Sequence, residues 1–195
     1  MRRARFYAGL ALSWLVLGCQ PAKQSFNNTD ITGVEYGKRI ELRDTGGRLR
    51  RLEDLRGNVV ALFFGYTHCP DVCPTTLADL ASISKQLGQD AARFQIAFVT
   101  VDPARDTAAV MGAYASNFGT NVIALRGDEA ATRAAAQEFK IMYRVAGEPP
   151  NYTVDHTTGI YLIDTRGRLC LYVRQTEAAS AGTLADVKTL LAEKS

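Results

Sequence analysis

From Tyr36 onward, short apolar runs alternate with longer stretches of helical period, with little chain between them. Asn58–Tyr66 (NVVALFFGY) is dominated by β-branched and aromatic residues, as expected of a strand covered on both faces. Ahead of it, Arg39–Arg43 and Arg48–Leu52 flank Asp44-Thr45-Gly46-Gly47, which predicts a hairpin with a Gly-rich turn. Pro74–Leu87 has a helical pattern, with proline in its first turn and Gly88 after its end. A strand over Phe94–Val101 follows, then a helix over about Thr107–Phe118 capped by Asp106, a strand over Val122–Leu125, and a helix over about Glu129–Lys140. Gly159–Ile163 and Leu169–Arg174 bracket a turn at Asp164–Gly167 and precede a last helix near Thr183–Glu193. Strands alternating with helices and closed by a hairpin and a helix predict an α/β sandwich with a mixed central sheet and an N-terminal β-hairpin. The chain has no internal repeat and no low-complexity tract.

The first 18 residues differ in kind. Arg2, Arg3 and Arg5 precede the uncharged stretch Phe6–Leu17, and Gly18 and Cys19 follow. This is the layout of a secretory signal. Its 12 apolar-region residues would rise only about 18 Å as a helix, short of a ~30 Å hydrocarbon core. Val16-Leu17-Gly18-Cys19 resembles the lipobox of bacterial lipoproteins, which implies cleavage before Cys19 and acylation of that residue. Residues 20–34 are polar, with Pro21 and Gly33, and read as a tether. The expected organisation is therefore a signal peptide over 1–18, a lipidated tether over 19–34 and one working domain over 35–195. That domain would sit on the extracytoplasmic, periplasmic side, held to a bacterial membrane by lipid.

Charge supports this division. The 195 residues carry 23 Lys+Arg against 20 Asp+Glu, a formal net charge of +3. The three N-terminal arginines account for the whole excess, so the domain has no basic surplus with which to neutralise phosphates. Nucleic acid is excluded as a partner on that ground. A domain of this length buries roughly 70% of the surface its unfolded chain exposes, and needs neither disulfides nor structural zinc to fold.

The chemistry gathers in His68-Cys69-Pro70-Asp71-Val72-Cys73-Pro74, where the buried strand gives way to a helix. A helix start favours thiolate over thiol, and thiolates serve both disulfide exchange and soft-metal binding. Spacing of four places the two sulfurs on one side of a helical turn. An inert Cys69–Cys73 disulfide would close too short a loop to add much stability, so metal binding and thiol redox chemistry are the readings left open. The two histidines differ. His68 adjoins Cys69, and its ring points away from the pair if the chain is extended there. His156 lies 83 residues after Cys73 in a polar, turn-like segment, Tyr152–Thr158, where Asp155 either orients its ring or caps the turn.

Three segments in order carry a resemblance. Gly65-Tyr66-Thr67-His68-Cys69-Pro70-Asp71-Val72-Cys73-Pro74-Thr75, Val101-Asp102-Pro103-Ala104-Arg105-Asp106-Thr107 and Tyr152-Thr153-Val154-Asp155-His156-Thr157, the last followed by Ile160–Asp164, are similar to the motifs of the Sco/SenC copper-binding proteins. The resemblance spans about residues 36–193. It implies a thioredoxin-like fold and one copper ion, Cu(I) or Cu(II), held by Cys69, Cys73 and His156. It also implies service in assembling the dinuclear copper centre of cytochrome c oxidase. The expected partners are then the copper-binding subunit of that oxidase, with periplasmic copper chaperones or thioredoxin-like reductants beside it.

Donor chemistry agrees with the resemblance. Two thiolates and an imidazole form a soft set suited to Cu(I), and three protein ligands leave a face open where a closed structural zinc site has four. Oxidation of Cys69 and Cys73 to a disulfide would remove both sulfur ligands and couple redox state to affinity. Asp102 and Asp106 fall within the matching motifs, with Asp106 read as a helix cap before any metal role. Tyr66 and Phe64 are expected as pocket wall or core, and Cys170, flanked by alternating apolar residues, as a buried core residue. Two functions from different classes remain: a tethered copper metallochaperone, and a thiol-disulfide oxidoreductase acting through the redox-active pair Cys69 and Cys73. His156 separates them, because disulfide exchange needs no imidazole there.

Overall fold

The computed structural model describes residues 25–193. The signal segment, Cys19 and the first part of the tether lie outside the described residues. In chain order the elements are β1 (Thr29–Asp30), β2 (Glu41–Asp44), β3 (Leu49–Arg51), β4 (Val59–Gly65), α1 (Val72–Gln86), β5 (Phe94–Thr100), α2 (Ala108–Ser116), β6 (Val122–Arg126), α3 (Glu129–Glu138), β7 (Tyr143–Ala146), β8 (Thr153–His156), β9 (Ile160–Ile163), β10 (Leu169–Val173) and α4 (Ala181–Ala192).

Eight strands form one mixed sheet in the order β1-β10-β9-β4-β5-β6-β2-β3. Its centre, β4-β5-β6, is parallel, and the strands on either side run antiparallel to it. All seven residues of β4 are buried. Successive strand residues face opposite ways: Phe63 stacks on Phe98 of β5, while Phe64 meets Phe139, just beyond α3. Both faces are thus covered, which is why β4 is written in unbroken apolar residues. Helices α1 and α4 pack on each other and on β4 and β5, α2 packs on β6, and α3 packs on β2. The expected α/β sandwich with a mixed sheet and an N-terminal hairpin, β2–β3, is the fold observed. No helix among the described residues is long and apolar enough to cross a membrane.

Four differences from the expected pattern matter for the site. First, α1 begins at Val72, two residues before Pro74, so both Cys73 and Pro74 lie in its first turn. Second, α2 is capped by the Thr107 side chain, which accepts from the Val110 amide. Asp106 is fully buried and bonds elsewhere. Third, the segment holding His156 is strand β8, paired with β7 as a two-stranded ribbon outside the main sheet. Finally, residues 27–31 are docked where a tether was expected. Asp186 of α4 accepts the backbone amides and side-chain amides of Asn27 and Asn28, and β1 pairs with β10. Contacts made 159 residues apart overrode a composition that reads as linker.

Candidate metal centre

Strands β4 and β5 end side by side, with Gly65 opposite Thr100, and the loops that leave them meet above the sheet. The carboxyl ends of parallel strands are where open α/β sheets gather ligands. Beyond Gly65 the chain makes a turn in which the Cys69 amide donates to the Tyr66 carbonyl at 3.3 Å. That turn delivers Cys69 to the start of α1. There the Cys73 amide donates to Cys69 Sγ at 3.4 Å. A helix start carries orphan amides that need an acceptor; the N-cap residue Asp71 supplies no side-chain bond, and the sulfur takes that place.

Cys73 is fully buried and Cys69 half-buried, and both are free thiols. Burial pushes the Cys73 thiol far above its ordinary range; the Cys69 sulfur and Asp106 add to this and a backbone bond from Tyr66 opposes it. The expected preference for thiolate at the helix start is therefore not met at Cys73 in the absence of a cation, because desolvation outweighs the helix dipole there.

His156 comes to this pair on β8. Its Nδ1 lies 2.9 Å from the Thr157 carbonyl, an acceptor only, so Nδ1 carries the proton and Nε2 is bare. Nε2 points at Cys73 Sγ, 3.5 Å away. Thr157 is itself anchored, its amide donating to the Met142 carbonyl and its hydroxyl accepting from the Met142 amide. The ring stands edge-on to Tyr66 and Phe63, with centroids 5.9 and 6.2 Å away. Burial lowers the pKa of His156, which keeps the ring neutral and ligand-competent at neutral pH. Asp155 does not orient it: its carboxylate pairs with Arg144 across the ribbon, both side chains exposed.

The donor atoms of Cys69, Cys73 and His156 all lie within 4.8 Å of one another. Metal–sulfur and metal–nitrogen bonds of about 2.0–2.3 Å set ligands of one ion about 3.5–4 Å apart, so small adjustments suffice. Two soft sulfurs and a neutral imidazole fit a soft cation such as Cu(I). His68 is outside the group, as expected; its Nδ1 turns to Thr67 Oγ1 at 3.1 Å. Of the expected wall residues, Tyr66 lines the site and Phe64 belongs to the core on the other face. Cys170 is buried in β10, where its thiol donates to the Arg168 carbonyl.

Several supporting residues escaped the sequence reading. A Cβ on Gly65 would stand 2.8 Å from Cys73 Sγ and 3.0 Å from Phe63 and Phe98, so the sulfur's seat requires glycine. Arg105 clamps the entry to β8: it pairs with Asp102, donates to the Tyr152 carbonyl at 2.9 Å, and lies over the Tyr152 ring. The Tyr152 hydroxyl completes the clamp by donating to Asp102 at 2.8 Å. Asp102 thus holds the start of β8, the strand that carries His156, in place. The turn-forming run Gly147–Asn151 between two β-rich segments was the sequence sign of the ribbon itself.

Comparison with known proteins agrees with this geometry. A family model described as SCO1/SenC matches residues 28–192. A SCO2-like protein of Rickettsia felis is 37% identical over 166 residues, covering 82% of this chain and 81% of the relative. Bradyrhizobium japonicum ScoI with copper bound superposes with a TM-score of 0.70 at 35% identity, over 80% of this chain and 99% of that one. The apo Sco1 protein of Thermus thermophilus gives a TM-score of 0.77, also at 35% identity, over 87% and 99%. With a thioredoxin-like sandwich, the Cys-Cys-His cluster at its strand ends and these likenesses together, the chain belongs to the SCO1/SenC family.

Proposed function

We propose that this chain is a copper carrier that holds one copper ion through Cys69, Cys73 and His156. It passes the ion to the copper-binding subunit of cytochrome c oxidase while the dinuclear copper centre is assembled. The observation that carries this reading is the bare His156 Nε2 aimed at Cys73 Sγ, with Cys69 Sγ within 4.8 Å. Transfer needs an exit, and Cys69, the half-exposed member, supplies one: an incoming thiolate or imidazole can displace it while Cys73 and His156 still hold the ion. In this reading residues 1–18 direct export, lipid on Cys19 holds the protein at the periplasmic face of a membrane, and the domain works from that anchor.

A second reading is favoured by one observation, that Cys69 and Cys73 are free, close and unequal in exposure. As an oxidoreductase, the Cys69 thiolate would attack a target disulfide and form a mixed disulfide. Cys73 would then displace the target, leaving a Cys69–Cys73 disulfide, with two electrons and two protons passed to the target's thiols. Competition with a Cu(I) chelator on the reduced soluble domain, with thiols counted on the same sample, tests between the two. A carrier retains one Cu(I) per chain, and His156→Ala weakens retention while the disulfide still forms. Unchanged affinity in that variant removes the imidazole from the site and favours the oxidoreductase.

A further inference from the structure

Asp106 is a fully buried carboxylate with no Lys or Arg side chain paired to it among the described residues. Its nearest basic group is His68, half exposed, with Nδ1 3.9 Å from Oδ1. Burying an anion in this way is costly unless directional bonds offset the loss of water, and Asp106 has three donors. The Thr67 amide reaches Oδ2 at 3.1 Å, the Thr67 hydroxyl Oδ1 at 2.6 Å, and the Thr100 hydroxyl Oδ2 at 2.6 Å. Thr100 is the last residue of β5, opposite Gly65, and Thr67 lies inside the turn that closes from the Cys69 amide to the Tyr66 carbonyl. The carboxylate therefore ties the rigid end of β5 to the middle of the loop that presents Cys69.

We propose that Asp106 is the positioning residue of the Cys69 loop: it acts through Thr67 to set Cys69 Sγ opposite Cys73 and His156, and it touches no metal itself. The other two donors have their own supports. Cys73 is fixed by α1 and by the glycine seat at Gly65, and His156 by the Thr157 carbonyl. Cys69 alone sits on irregular backbone, and Thr67 is the loop residue whose amide and hydroxyl both end on a buried anion. The Arg126 guanidinium, bonded to the Asp106 carbonyl oxygen at 3.0 Å, holds the backbone of Asp106 in turn. Bonds that orient ligands from behind are worth about 10–100-fold in metal affinity.

This inference rests on the carrier reading, and the wild-type domain is its control: if that domain binds no copper, the carrier reading fails first. The test compares Asp106→Asn, Thr67→Val and Thr67→Ser in Cu(I) competition and thermal melting, together with the sulfur-to-metal charge-transfer absorption of the Cu(II)-loaded domain. Asp106→Asn and Thr67→Val are expected to lose ~10–100-fold in Cu(I) affinity and to change the charge-transfer band. Thr67→Ser, which keeps the hydroxyl, is expected to stay within about threefold of wild type, below that range. If Asp106→Asn does not fold, the Thr67 pair decides alone. Wild-type affinity and spectrum in folded Asp106→Asn or Thr67→Val, with only a lower melting temperature, would reduce Asp106 to a structural pin. So would equal impairment of Thr67→Ser and Thr67→Val.

Discussion

Cys73 and Cys170 are both buried in the same core, and burial pushes both thiols upward, Cys170 to about 11. Their surroundings separate them. Cys73 faces a second sulfur and a bare imidazole nitrogen, whereas the Cys170 thiol donates to the carbonyl of Arg168 in its own hairpin. Among the described residues Cys69, Cys73 and His156 gather as a possible ligand set, and Cys170 is not among them. A buried thiol is therefore not a ligand by burial alone. It becomes one where other soft donors converge on it, because only then does a cation repay the cost of ionising it.

The largest effect that would sharpen this contrast is on copper itself. Cys73→Ala removes the donor shared by both neighbours and is expected to cost more than the ~100-fold upper range of an outer partner, measured by Cu(I) competition. Cys170→Ala, tested beside it, should bind copper as wild type does; a matching loss would erase the distinction. Next in size is Gly65→Ala, whose methyl would meet Cys73 Sγ and two aromatic rings at 3.0 Å or less. Overpacking of this kind costs about 1–3 kcal/mol, read by denaturant unfolding, and the displaced sulfur should weaken copper binding as well. The smallest effect belongs to Cys170→Ala on stability, about 1 kcal/mol at neutral pH. With its pKa raised from 9.0 to about 11, Cys170 keeps its proton in the folded state at a pH where the unfolded chain loses it. Its contribution is full below pH 9 and fades as pH rises toward 11. The stability gap between wild type and Cys170→Ala should narrow over that interval, and a gap independent of pH would show the thiol to be freely solvated.

Much of the sheet could be read from the chain because its centre is covered on both faces, so β4 appears as an unbroken apolar run and β5 as one interrupted only by Gln95 before its terminal Thr100. The cysteine pair was equally legible, lying where such a run meets a proline-marked helix. His156 was not legible from local pattern. Its strand belongs to a ribbon with exposed Arg144 and Asp155 on one side, and half-polar strands of four residues resemble a loop. The family resemblance alone led to expecting it beside the cysteines, and its Nε2 lies 3.5 Å from Cys73 Sγ. Asp106 was misread for a different reason: Asp106 and Thr107 both suit a cap, and only bonds to Thr67 and Thr100, made in three dimensions, assign them separate duties. The docking of Asn27 and Asn28 on Asp186 was hidden in the same way.

X-ray absorption at the copper edge of the reduced, Cu(I)-loaded domain reads the ligands directly. Two sulfurs and one nitrogen around a single copper, with the nitrogen lost in His156→Ala, is the expected result. A shell of sulfur alone in the wild-type protein, or copper–copper scattering from ions shared between chains, would contradict a site built by these three residues.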